Sequence, residues 1–306
     1  MDFTIIPVTE YEKPKKITKW SEGFYHTLQT LDTWRESEST GNGNNIRNFQ
    51  KLSPVWQDPP LEAIDHDLVE NTLKKIRAKT GNSNSTLNRS ISTIKKVLHL
   101  CARSGYLTHV PVIDKFKVEK ARPTPHFRKE QVERLIQLGR ERGDDVIAQA
   151  IETAAYTGVR QAELRRLKVW DVDFHANVFL IGGTPESRTK GRNYREVPIH
   201  PRLIPIMEYR ASSARPLDSY VFDELRNQWH LYRMWEHVYE KLKWEDRTVT
   251  DAHCWKSLRN SYITWALTNN TPLMTVKEWA GHSSVTVTER YYDHDKARNQ
   301  AHAARM

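Results

Sequence analysis

Four segments in the second half of the chain combine residue types that can bind an anion or act on one. The first is Thr157-Gly-Val-Arg160-Gln-Ala-Glu163-Leu, with an arginine and a glutamate three residues apart. On a helix the two share a face. There the carboxylate either holds the guanidinium in one rotamer or forms an ordinary surface ion pair. The second, Arg188-Thr-Lys190-Gly-Arg192-Asn-Tyr-Arg195-Glu-Val-Pro-Ile, reads as a basic hairpin with Lys190 and Gly191 at its turn. Such a tip can present an ammonium to a phosphate or a leaving group, or simply be solvated. The third, Lys256-Ser-Leu-Arg259, sets two cations three residues apart. An anion between them would relieve their repulsion, which points to phosphate; a solvated helix face is the plainer alternative. The fourth runs from Trp279-Ala-Gly281-His282-Ser283-Ser284 to Val-Thr-Val-Thr-Glu-Arg-Tyr291-Tyr292. Gly281-His282-Ser283 reads as a break before a new helix with a serine N-cap, which sets Tyr291 about two turns into that helix. Taken singly, such a tyrosine is usually a half-buried core residue and such a histidine a satisfied polar one.

The elements that must position these residues follow from hydrophobic spacing. Residues 145–156 pattern as a buried helix, closed by Gly158 as a C-terminal cap. Val178–Ile181 and Arg195–Ile199 read as two short strands joined by a polar turn. Helices are expected at about 202–211, 226–242, 256–269, 272–280 and 284–292. In the front portion, 86–103 carries Leu87, Ile91, Ile94, Val97, Leu98 and Cys101 at helical spacing, with Ser85 as N-cap and Gly105 as stop. A second helix is expected at about 66–79, with Leu68, Val69, Thr72, Leu73 and Ile76 inward and Asp65 near its start. Residues 36–45 form a polar loop. Arg89, Lys95, Lys96 and Arg103 fall largely off the apolar stripe, either as a solvated face or as a DNA-binding one. Pro111, Pro123 and Pro125 interrupt helical patterning over 108–125 and place a boundary near residue 122.

Composition narrows the class of partner. Forty-seven Lys+Arg against 38 Asp+Glu give +9 in 306 residues and a pI near 9.4. That balance favours a polyanion, because neutralised phosphates release condensed counterions. Two cysteines, Cys101 and Cys254, cannot build a disulfide framework, and no C-x-x-C metal spacing occurs. A reducing, cytoplasmic setting is the expectation. The opening MDFTIIPVTEYEKPKK holds no apolar run of signal-peptide length, and no stretch approaches 18 apolar residues, so no membrane association is expected. No P-loop and no carboxylate set for two-metal chemistry stands out; no metal and no cofactor is expected.

Taken in order, the four segments resemble the tyrosine recombinase (phage integrase) family over about residues 125–295. The family pattern is an Arg followed three residues later by an acid, a hairpin Lys, an H/K-x-x-R block, and a Gly-His with Tyr nine residues after the His. Here these are Arg160, Glu163, Lys190, Lys256, Arg259, His282 and Tyr291, and Val197-Pro198 ends the hairpin where the family usually has it. The second block more often begins with His; here it begins with Lys256, and His253 three residues earlier is the alternative. Tyr292 adjoins Tyr291 as an alternative nucleophile, and Tyr292-Asp-His294 also resembles a family ending.

The resemblance implies a mainly α fold with a small β-sheet. It divides into an N-terminal helical core-binding (DNA-binding) domain over 1–122 and an α+β catalytic domain over 123–306. It further implies transesterification at a DNA phosphate. Arg160 and Arg259 would bind its oxygens, with Glu163 supporting and His282 as a third donor. Lys190 would protonate the departing 5′-oxygen and Lys256 would assist at the tyrosine or contact phosphate. Tyr291 would form a 3′-phosphotyrosine. Arg89, Lys95, Lys96, Arg188 and Arg192 are the expected DNA contacts. Double-stranded DNA carrying a recombination site is the expected partner, with a homodimer on each site and a tetramer in the synapse. A type IB topoisomerase-like relaxing activity and a non-catalytic DNA-binding protein on the same scaffold are the competing readings.

Overall fold

In a computed structural model, the structure describes residues 16–34, 43–118, 125–182, 194–212, 214–289 and 291. The chain divides into two compact units, Met1–Ala121 and Arg122–Met306, each with its own apolar core.

The front unit is helical: α1 (Trp20–Thr30), α2 (Asn44–Trp56), α3 (His66–Thr80) and α4 (Asn84–Arg103). Its centre is aromatic. Phe24 of α1 stacks on Phe49 of α2 at 4.3 Å between centroids, and Trp20 meets Trp56 edge-on at 4.9 Å. Contacts of this kind add to the large apolar area that such rings bury. Val69, Thr72, Leu73 and Ile76 of α3 are buried and Leu68 half-buried; Asp65 caps the helix by accepting from the Leu68 N–H at 2.7 Å. In α4 the cap is Ser83 rather than Ser85. Ser83 has an extended backbone and accepts from the Thr86 N–H, while Asn84 Nδ2 donates to the Lys117 carbonyl and ties the first turn down. Helix α2 begins at Asn44, inside the expected polar loop; residues 35–42 lie outside the described residues.

The rear unit is built around α6 (Asp145–Thr157), whose Ile147, Ala148, Ala150, Ile151, Ala154 and Ala155 are all buried. Small residues let α5 (Lys129–Glu141) pack close to it. A Cβ on Gly139 would stand 3.1 Å from that of Ala148. The short α7 (Gln161–Leu164) follows. Beside them lies an antiparallel sheet in the order β1 (Val172–Asp173), β2 (Val178–Ile181), β3 (Arg195–Pro198), with Phe179 opposite Val197. β3 alternates strictly: Arg195 and Val197 point inward, Glu196 and Pro198 outward. Then come α8 (Ile204–Arg210), α9 (Gln228–Glu245), α10 (Trp255–Thr268), α11 (Leu273–Ala280) and α12 (Val285–Glu289). The mainly α fold with a small sheet is as expected.

Two boundaries matter for chemistry. Helix α12 is described over Val285–Glu289, and Tyr291 is a turn residue, whereas the expectation ran the helix to 292. The run Val285-Thr-Val-Thr288 is β-branched throughout and a poor helix former. The Tyr291 N–H instead closes a tight turn on the Thr288 carbonyl at 3.0 Å. The other boundary is Gly158, which ends α6 in the left-handed region at φ +64°. A Cβ there would run into the Tyr262 ring of α10. Gly158→Ala therefore combines a left-handed penalty of about 1–2 kcal/mol with a ring displacement. Urea unfolding should show a loss above that backbone figure, whereas Gly81→Ala, with nothing within 4 Å of its Cβ, should show only the backbone part.

Candidate active site

Arg160 is the N-cap residue of α7, with an extended backbone at φ −70°, ψ 151°, so it and Glu163 meet by capping rather than as a pair on a helix face. The Arg160 N–H donates to Glu163 Oε2 at 2.8 Å and Arg160 Nη1 donates to Oε1 at 2.8 Å. The same carboxylate takes a second guanidinium. Arg195, at the inward-facing start of β3, donates through Nη2 to Oε2 at 2.7 Å and through Nη1 to Oε1 at 3.2 Å. Glu163 and Arg195 are both buried, while Arg160 is about two-fifths exposed. Burial by itself would raise the Glu163 pKa. The hydrogen bonds and charge of Arg195, with those of Arg160, overrule it and hold the carboxyl at about 2.

Arg195 is the residue that motif reasoning passed over. A signal for it existed: a cation at an inward position of a strand, in register with buried Val197, must find a buried partner.

The arginines converge on one helix end. Arg195 Nε donates to the Trp279 carbonyl at 2.8 Å, Arg259 Nη2 to that of Ala280, and Arg160 Nη2 to that of Gly281 at 3.1 Å. These three successive carbonyls close α11, where the helix dipole is negative. Gly281 lies in the left-handed region, and a Cβ there would stand 3.1 Å from Arg195 Nη1. Arg259 is buried and also donates through Nη1 to the Gly158 carbonyl at 2.6 Å. Burial first, then the charge of Arg160, lowers its pKa to about 10, so it stays protonated at neutral pH.

His282 follows directly. Its Nδ1 lies 2.8 Å from the buried Thr288 hydroxyl. Burial and the charges of Arg259, Arg160, Arg195 and Lys256 push its pKa down to about 4, so the imidazole is neutral at pH 7. The Tyr291 ring lies parallel to it, 6.1 Å away and within 14°. Tyr291 also packs against the small cluster of Ile263, Leu267, Val276 and Ala280, and its hydroxyl donates to Asn260 Oδ1 at 3.0 Å.

The fold thus brings Arg160, Glu163, Arg259, His282 and Tyr291 together, and adds Arg195. Lys256 sits exposed on the first turn of α10, near enough to act on His282 through its charge. His253 is buried among core residues, against Phe127 at 4.9 Å and with its Nδ1 facing Thr250. Lys190, Arg188, Arg192 and Tyr292 lie outside the described residues. In the front unit Arg89 and Lys96 are exposed, whereas Lys95 is half-buried and donates to the Ile113 carbonyl at 3.3 Å. Among the described residues no group of three His, Cys, Asp or Glu could hold a metal ion, and no helix is long and apolar enough to cross a membrane.

The Glu163 carboxyl titrates at about 2 in the fold and near 4.5 when unfolded. Its contribution is therefore complete above about pH 4.5 and is lost as pH falls toward 2. Glu163→Gln leaves two guanidiniums without their counter-charge. It should cost about 3–5 kcal/mol at pH 7, the range for breaking a buried pair, and flatten the acid limb of stability against pH. Urea titrations from pH 3 to 7 on both proteins read this directly.

Residues 125–298 match the model of the phage integrase family. The chain is 25% identical over 290 residues to the tyrosine recombinase XerC of Alcanivorax borkumensis, covering 87% of this chain and 90% of that protein. Among solved structures it is similar to the Tn1549 transposon integrase in complex with a circular intermediate DNA. There the TM-score is 0.67 and the identity 15%, covering 93% of this chain and 98% of that one. It is also similar to a lambda integrase dimer bound to a COC′ core site, with TM-score 0.63 and 13% identity, covering 95% and 81%. The match across more than half of its length, joined to the ordered Arg, Arg, His and Tyr residues at one helix end, makes this chain a member of the phage integrase family of tyrosine recombinases.

Proposed function

We propose that this chain is a site-specific DNA recombinase that cuts and rejoins strands through a 3′-phosphotyrosine at Tyr291. The observation that carries the reading is the arginine cluster. Two guanidiniums on one carboxylate and a third, Arg259, on neighbouring backbone carbonyls leave a surplus of two positive charges beside a phenol. A phosphodiester resists attack by another anion, and catalysis needs positioned positive charge where negative charge grows in the transition state. Arg160 and Arg259 donate to the non-bridging oxygens. His282, neutral, donates a hydrogen bond through Nε2 without adding charge. Glu163 and Arg195 position Arg160.

The Tyr291 oxygen forms a bond to phosphorus as the bond to the 5′-oxygen breaks. The phenol passes its proton to a base, water or the neutral amine of Lys256, and the departing 5′-oxygen takes one up from the Lys190 ammonium. A 5′-hydroxyl from a partner strand then reverses the step, so the phosphodiester is conserved and no nucleotide hydrolysis is required. Lys256 supports proton transfer at the tyrosine or contacts phosphate. The front unit, over about 1–122, serves as the core-binding domain, with Arg89, Lys95 and Lys96 toward DNA and Arg188 and Arg192 adding contacts from the rear unit. Exposed Arg89 and Lys96 suit this better than Lys95, part of whose donor capacity goes to Ile113. A dimer on each site and a tetramer at synapsis fit the exchange of two duplexes in the cytoplasm.

Nicked suicide duplexes, built from sequences that the protein itself selects from a random pool, test this. Tyr291→Phe should abolish the covalent adduct while binding stays within about twofold; an adduct that survives there and disappears in Tyr292→Phe would transfer the role. Arg259→Lys, which keeps charge but loses the two-pronged donor, should slow single-turnover adduct formation by about 10²-fold. Lys96→Ala should weaken binding and lower the salt slope by about one. Supercoil relaxation by monomeric protein with no strand exchange would instead favour a topoisomerase-like outcome.

A further inference from the structure

The Tyr291 hydroxyl donates to the Oδ1 of Asn260, a buried residue one position after Arg259 on α10. An asparagine carboxamide can present either its oxygen or its nitrogen, and its neighbours decide which. Here Nδ2 donates to the Pro125 carbonyl at 3.3 Å, so the oxygen is turned toward the phenol. The next residue, Ser261, fixes the same stretch of chain by accepting from the Phe127 N–H at 2.8 Å. Two consecutive side chains of α10 thus pin residues 125–127, and one of them aims its remaining polar atom at Tyr291.

We infer that Asn260 is a positioning residue that docks the nucleophile in its resting, protonated form beside Arg259. The inference rests on the reading of Tyr291 as nucleophile. The chemistry of the acceptor carries it. A carboxamide accepts a hydrogen bond but is not a base at neutral pH, so a phenol donating to it keeps its proton; a hydrogen bond to the neutral form disfavours ionisation. The neighbouring guanidinium of Arg259 favours the phenolate. The two influences oppose each other at one oxygen. The hydroxyl is held ready and uncharged until a phosphate draws it from Asn260 toward phosphorus. A carboxylate in place of the carboxamide would accept the same hydrogen bond but would also titrate.

The test uses the full-length protein and the selected nicked duplexes described above. Asn260→Ala should slow single-turnover adduct formation about tenfold, with the dissociation constant for the duplex changed less than twofold. Asn260→Asp should add a titration limb to the pH–rate profile in the ordinary carboxyl range, roughly pH 4–6, that the wild-type profile lacks. A residue that merely filled space would lower stability and binding but leave the profile's shape alone. An Ala variant within twofold of wild type together with an Asp profile parallel to wild type overturns the inference. If both variants fail to fold, side-chain amide resonances of protein labelled with 15N-asparagine decide: Tyr291→Phe must shift the Asn260 amide signal, and an unmoved signal overturns the inference. An adduct that persists in Tyr291→Phe refutes the nucleophile assignment itself, an outcome separate from either of these.

Discussion

The tolerance of three guanidiniums for one another at the end of α11 is the constraint on which the rest of the rear unit depends. At an effective dielectric of 20, two unit charges 4 Å apart repel by about 4 kcal/mol. The fold offsets this in two ways. One buried carboxylate, Glu163, is shared between Arg160 and Arg195. Four backbone carbonyls, from Gly158, Trp279, Ala280 and Gly281, each take one further donor. Both glycines are left-handed helix ends, and both place a carbonyl where a β-carbon would have obstructed the approach of a ring or a guanidinium. The offset is incomplete: three guanidiniums stand against one carboxylate, so positive charge is left over.

The same cluster sets the ionisation of its neighbours. His282 is kept neutral because burial and surrounding cations both oppose a further positive charge. A neutral imidazole with Nδ1 engaged by Thr288 is a directional hydrogen-bond donor rather than another cation. That division of labour is economical in charge. The arginines carry the positive charge, while His282 and Tyr291 offer neutral hydrogen-bonding groups. Rigid support comes from where the side chains stand, at element boundaries or on a buried helix face: the start of α7, the start of β3, the buried face of α10 and the close of α11. A side chain held by its backbone neighbours keeps its geometry.

The sequence by itself determined the fold class and most element positions, because helical spacing of apolar residues and punctuation by Gly158, Gly281 and the prolines are local signals. Arg160 with Glu163, Lys256 with Arg259, and His282 with Tyr291 were legible as separate short motifs, each with a plainer alternative, and only their resemblance in order to the family pattern joined them. What only the tertiary structure decided is how these pieces meet. Arg195 joins Glu163 across 32 positions, Arg160 reaches Gly281 across 121, and Tyr291 finds Asn260 across 31. No periodicity encodes such contacts. They exist because a buried charge or a buried polar atom must be paired wherever packing happens to bring a partner. The end of α12 belongs with them: there Tyr291 is a turn residue, and the Thr288 hydroxyl meets His282.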